Sequence, residues 1–248
     1  MMNQVKDSFK ERLPNATKYV ADLCRWKLRC RQEFGPELRY QKALPLADLQ
    51  PEDKVLEVGH CNYQTIRIAS RVRQVIVCNI SGVDRATQTF GPKNLTQIHG
   101  DICMYPLEAN SFDAVLAIAV LEHIDDDLAS VRNVYHALKP DGRFIAYVPH
   151  TGEHLAAWQR GEYPDHVRPG YTKARLIELL QRGQFEIAHC ELENGTYAAI
   201  AGDLYYTLAQ HIPFFINCHI SSTRHLWPWH LLMSGNQVPS AGVCSVKL

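Results

Sequence analysis

KVLEVGHCNYQT, residues 54–65, decides how this chain folds. Lys54 to Val58 reads as a short buried strand carrying one acid, Glu57; Gly59 opens a tight turn, and from Tyr63 the apolar residues take a helical period. A strand that turns through glycine into a helix is where a doubly wound sheet receives a nucleotide-like ligand. The glycine lets the backbone approach, and the helix N-terminus carries partial positive charge. Such a loop usually holds three glycines, whereas here only Gly59 stands, with Cys61 and Tyr63 at the other positions. The turn is therefore expected to relax, or the ligand to shift, if it binds at all.

Outward from that turn the chain alternates β-rich runs with helical ones. QVIVCNI (74–80) and LTQIHG (95–100) are strands; FDAVLAIAV (112–120) is followed by a helix over DDDLASVRNVYHAL (125–138). GRFIAYVP (142–149), a helix at TKARLIELLQR (172–182) and FEIAHCELE (185–193) complete the series. Asp125, Asp126 and Asp127 complement a helix N-terminus, and Lys139, Pro140, Asp141 and Gly142 are expected to form the turn that stops that helix. The alternation predicts an α/β chain with a doubly wound, mostly parallel seven-stranded sheet and helices on both faces, a Rossmann-like architecture.

Before the sheet, residues 16–34 place Tyr19, Val20, Leu23, Trp26, Cys30 and Phe34 on one helical face, so 1–50 is read as a helical cap and 51–194 as the core. His150 to Gly170 is polar, aromatic and aperiodic, the composition of an active-site loop. Residues 195–248 read as an insertion plus a closing strand, GVCSVKL; within them 203–233 are apolar and aromatic, offering a surface for a partner or a membrane.

Composition narrows the function. Lys plus Arg and Asp plus Glu number 26 each, so no net field draws the chain to nucleic acid. Eight scattered cysteines show neither C-x-x-C nor zinc-finger spacing and read as reduced cytoplasmic thiols. No stretch has the apolar length of a membrane span, no metal site is expected, and the N-x-T triplets at Asn15, Asn94 and Asn194 are taken as chance. Phosphate-binding P-loops, nucleophile elbows and H-E-x-x-H helices are absent from the sequence.

The spaced motifs VLEVG, VIVCNIS, HGDI and VLEHI, in that order, resemble those of class I S-adenosylmethionine-dependent methyltransferases over residues 50–193. The resemblance implies S-adenosyl-L-methionine as cofactor and a small-molecule acceptor methylated on oxygen or nitrogen. It implies that Glu57 holds the cofactor's amino group and that Gly59, His60 and Cys61 border its methionine and ribose. Asn79, 22 residues beyond Glu57, and Ile80 would meet the ribose; Asp101 and Ile102 the adenine; and Ala119 the cleft floor. His123, His150 and His166 are the candidate bases, in a region whose His154, Trp158, Tyr163 and Tyr171 suit an aromatic lid. Asn79 replaces the usual acid, which should weaken binding about tenfold, a loss that Asn79→Asp would restore. Two other functions stay open: a binding or regulatory protein that has lost catalysis, motivated by Cys61, Tyr63 and Asn79 together, and a methyltransferase acting on a lipid or glycan.

Overall fold

The computed structural model describes residues 34–151, 166–193 and 241–247, with Val20 and Leu23 before them. In chain order the elements are α1 (Phe34–Ala47), β1 (Lys54–Val58), α2 (Tyr63–Ala69), β2 (Gln74–Asn79), α3 (Arg85–Phe90) and β3 (Leu95–His99). There follow β4 (Phe112–Ile118), a 3-10 turn (Leu121–His123), α4 (Asp127–Ala137), β5 (Leu138–Pro149), α5 (Lys173–Arg182), β6 (Glu186–Glu193) and β7 (Ala241–Lys247). The seven strands lie in the order β3-β2-β1-β4-β5-β7-β6. β1 to β5 form one parallel block, and β7 runs antiparallel between β5 and β6.

Strand alternation divides the core into two layers. Leu56, Val58, Val115, Ala117, Phe144, Ala146 and Val148 pack against Val131 and Val134 of α4 and Leu176 and Leu180 of α5. Their neighbours Val55, Ala114, Leu116, Ile145 and Tyr147 face Tyr40, Ala43 and Ala47 of α1 and Ile68 of α2. Since both faces are covered, β1, β4 and β5 read as continuous apolar runs rather than as alternating ones. Glu57 is the exception on the α1 face: a carboxyl 1% exposed, in line with Val55.

The structure departs from the sequence reading in three places. The helix expected over 16–34 lies outside the described residues apart from helical Val20 and Leu23, while α1 was not foreseen because Gly35, Pro36 and Pro45 obscure its period. Packing, with Tyr40, Ala43 and Ala47 all buried, holds it. The segment read only as polar contains α3, whose N-cap Asp84 accepts from Ala86 N and from the Thr87 hydroxyl. Lys139 to Gly142 is not a separate turn but an irregularity within β5. Asp141 adopts φ +63°, and the register against β4 slips between Phe112 and Ala114. Residues 194–240 lie outside the described residues, and β7 enters the sheet after them.

Phe144 is fully buried, with its ring 5.3 Å from that of Phe185. Phe144→Ala should cost about 3–5 kcal/mol. In urea titrations this appears as a lower midpoint at an unchanged slope.

Candidate functional site

Strand order reverses between β1 and β4, and the resulting crevice at their carboxyl ends is a cleft of about 690 Å³, within the usual range for small-ligand sites. Gly59 opens it at φ +112°, and a Cβ there would stand 2.8 Å from Val120 Cγ2 at the end of β4. Glycine is thus required twice at this position, for the backbone angle and for the approach of two strands. Facing it, Ala119 takes φ +54° and donates its N–H to Tyr147 O at 2.7 Å, an uncommon angle for a residue with a Cβ. Asn62 then starts α2 with a capping box, its Oδ1 accepting from Gln64 N and Thr65 N while Thr65 Oγ1 accepts from Asn62 N.

The next two strands supply the rest of the wall. At the end of β2 the Asn79 amide nitrogen donates to His60 Nδ1 at 2.8 Å and to Gly82 O at 3.2 Å, while its oxygen accepts from Ser81 N. These partners fix which way the amide points. After β3, Gly100 is backed by the Tyr105 ring so closely that a Cβ would meet Cδ2 at 2.2 Å. Asp101 then lines the cleft, its Oδ1 accepting from Cys103 N. Asn133 of α4 donates to Ile102 O at 2.7 Å and Tyr105 O at 2.9 Å, anchoring that loop from behind.

Residues 56–146 match the family model described as a methyltransferase domain. The chain is 27% identical over 181 residues to the cycloartenol-C-24-methyltransferase of Arabidopsis thaliana, covering 66% of this chain and 53% of that protein. A probable S-adenosylmethionine-dependent methyltransferase of Mycolicibacterium smegmatis is 30% identical over 89 residues, 36% of this chain and 34% of that one. The fold also matches the phosphoethanolamine N-methyltransferase 2 of Haemonchus contortus, solved in complex with S-adenosyl-L-methionine, at a TM-score of 0.61 and 16% identity over 88% of this chain and 53% of that chain. Residues 56–146 of this chain are a methyltransferase domain. It spans about half the length of the first of these curated relatives and about a third of the second.

The methyltransferase cleft gathers Gly59, His60, Asn79, Ile80, Asp101, Ile102, Ala119 and His123 on its walls. Glu57, Cys61, Tyr63, His150 and His166, all expected at it, lie elsewhere. Glu57 points into the α1 face, where the Tyr40 hydroxyl donates to it, so it cannot reach a ligand in the crevice directly. Cys61 packs against the apolar layer under α1, and burial pushes its thiol up to about 12. Tyr63 begins α2 with its ring under Arg67. The two side chains feared to plug the turn therefore point away from it. His150 ends β5 in a bridge with Tyr171 and does not line the cleft, and His166 lies behind His123, the rings edge to face at 4.5 Å. His154, Trp158 and Tyr163 lie outside the described residues, and Tyr171 is buried with its hydroxyl donating to Asp127 and Leu121 O.

Tyr40 was missed by the sequence reading. It lines the cleft, donates to Glu57 and accepts from Asn62 Nδ2 at 3.2 Å, tying α1 to the glycine turn. The signal that would have found it, a pairing 17 residues apart, is tertiary. Ile80 and Met104, 66% and 80% exposed, form the cleft rim.

Burial pushes the Glu57 carboxyl up from 4.5 to about 7, against the smaller opposing pull of the Tyr40 and Thr65 hydroxyls. The folded state therefore favours the protonated acid. Its stabilising contribution is complete below about pH 4.5 and is lost as pH rises through 7, an effect of about 3 kcal/mol. Thermal melts of the wild type should show this loss, and Glu57→Gln, which keeps an acceptor for Tyr40 without the charge, should flatten the pH dependence in that window.

Proposed function

We propose that this methyltransferase transfers a methyl group from S-adenosyl-L-methionine to an oxygen or nitrogen of a small molecule. The observation that carries the reading is the crevice between β1 and β4, where Gly59 holds the backbone close without a Cβ and Asp101 presents a carboxylate one loop away. The cofactor supplies a methyl already made electrophilic by the sulfonium. Asp101 accepts from the adenine amino group, with Ile80 and Met104 covering the ring; Asn79 and His60 border the ribose; Gly59 and Ala119 border the methionine end. His123 is the base that accepts the acceptor's proton, and His166 orients its ring. The chain's part is alignment and exclusion of water.

The outward turn of Cys61 and Tyr63 removes two of the three motives for a non-catalytic role. A lipid acceptor is the second reading, favoured by the likeness to a cycloartenol-C-24-methyltransferase and by the aromatic composition of 203–233. Cys61, Cys78 and Cys103 are thiols and not disulfides, in keeping with a cytoplasmic setting, and among the described residues no helix is long and apolar enough to cross a membrane.

Calorimetric titration with S-adenosylmethionine should give micromolar binding, and silence to millimolar concentrations would refute the reading. Asp101→Ala should weaken that binding by roughly tenfold to a hundredfold. Asn79→Asp should leave it within about threefold instead of restoring tenfold, because the exchange loses the amide donors to His60 and Gly82 that offset the gained charge. With acceptor panels of small hydroxylated or amine compounds and of sterols, His123→Ala should lower kcat by about a hundredfold or more while cofactor affinity stays within a few-fold.

A further inference from the structure

We propose that Glu122, His123 and His166 form a binding site for a divalent transition-metal ion at the acceptor end of the cleft. One ligand atom from each lies within 4.8 Å of the others. Two imidazoles and a carboxylate suit zinc, iron or manganese, and three protein ligands leave positions open for an outside oxygen. Neighbouring donors on a tetrahedral ion stand about 3.5 Å apart, so the donors need close by no more than about 1.3 Å, within reach of ring rotation at exposed His123.

Two further observations support the site. Glu122 is 1% exposed and its Oε2 has no hydrogen-bond partner, a costly arrangement for a carboxylate unless a cation meets it. Arg39 and Arg168 act on it only as neighbouring charges, and the Arg168 guanidinium is engaged elsewhere: it donates to Leu121 O, Ile124 O and Asp125 O and lies 3.5 Å from Asp127. The segment carrying His166 is also stapled in place. Val167 N and Arg168 N both donate to Glu122 O, at 3.0 and 3.3 Å, so His166 is held beside the adjacent pair Glu122 and His123 before any ion arrives. Asp125 and Asp126 line the same cleft and add negative charge.

The ion's open positions would take an oxygen of the methyl acceptor, a use that rests on the methyl-transfer reading; with the ion present, His123 holds metal rather than taking a proton. Metal binding itself does not depend on that reading. The test therefore uses chelator-stripped full-length protein with no methyl donor, titrated with Co2+ and with Zn2+. One ion per chain should bind at micromolar concentration, with the visible bands of a four- or five-coordinate cobalt site. His166→Ala and His123→Ala should each weaken it roughly a hundredfold, as should Glu122→Gln where that buried change leaves the chain folded. His189→Ala, at the far edge of the sheet, should change nothing. No binding by the wild type at millimolar metal, affinity undiminished in both histidine variants, or thiolate-to-cobalt charge-transfer bands would overturn the site. Cofactor titration of the same metal-free protein reports separately on methyl transfer.

Discussion

The approach of β1 to β4 at Gly59 and Val120 is the constraint on which the rest of this molecule depends. A Cβ at Gly59 would come within 2.8 Å of the Val120 side chain, and the backbone there takes an angle that residues with side chains rarely adopt. The two strands can therefore part just beyond this point, one chain turning to α2 and the other to the 3-10 turn and α4. The crevice is the space left where they diverge. Its floor is made of backbone, which permits close contact with a ligand, and its polar groups come from the ends of four strands.

The charge arrangement around this crevice follows from the same geometry. Strand alternation sends Val58 to one face and Glu57 to the other, where α1 closes over it and Tyr40 supplies a donor. An acid that would be a ligand group on an exposed strand end becomes a buried link between α1 and the glycine turn, its protonated form favoured by burial. On the other side of β4, the carboxylate of Glu122 is buried beside two imidazoles, held there by Arg168 clamping the carbonyls of the 3-10 turn. The cleft thus has one end suited to a nucleoside and the other to acid-base or metal chemistry.

Local patterns made much of the fold legible. KVLEV, QVIVCN and FDAVLAI have the length and β-branched composition of buried parallel strands, and the amphipathic period of KARLIELLQR leaves only one assignment for α5. The elements missed are those whose stability comes from elsewhere: α1 carries Pro45 and is held by packing, and α3 is a single capped stretch of six residues.

By itself the sequence determined the class of fold and the positions along the chain where a ligand must be met, because strand ends, glycines and acids occur at spacings set by local backbone geometry. Only the tertiary structure decided which side chains face that ligand. A one-residue difference in strand phase sends Glu57 inward, the path from Gly59 into α2 carries Cys61 and Tyr63 away, and a loop more than forty positions later brings His166 to His123. Those directions depend on what packs against each face, which no local pattern encodes.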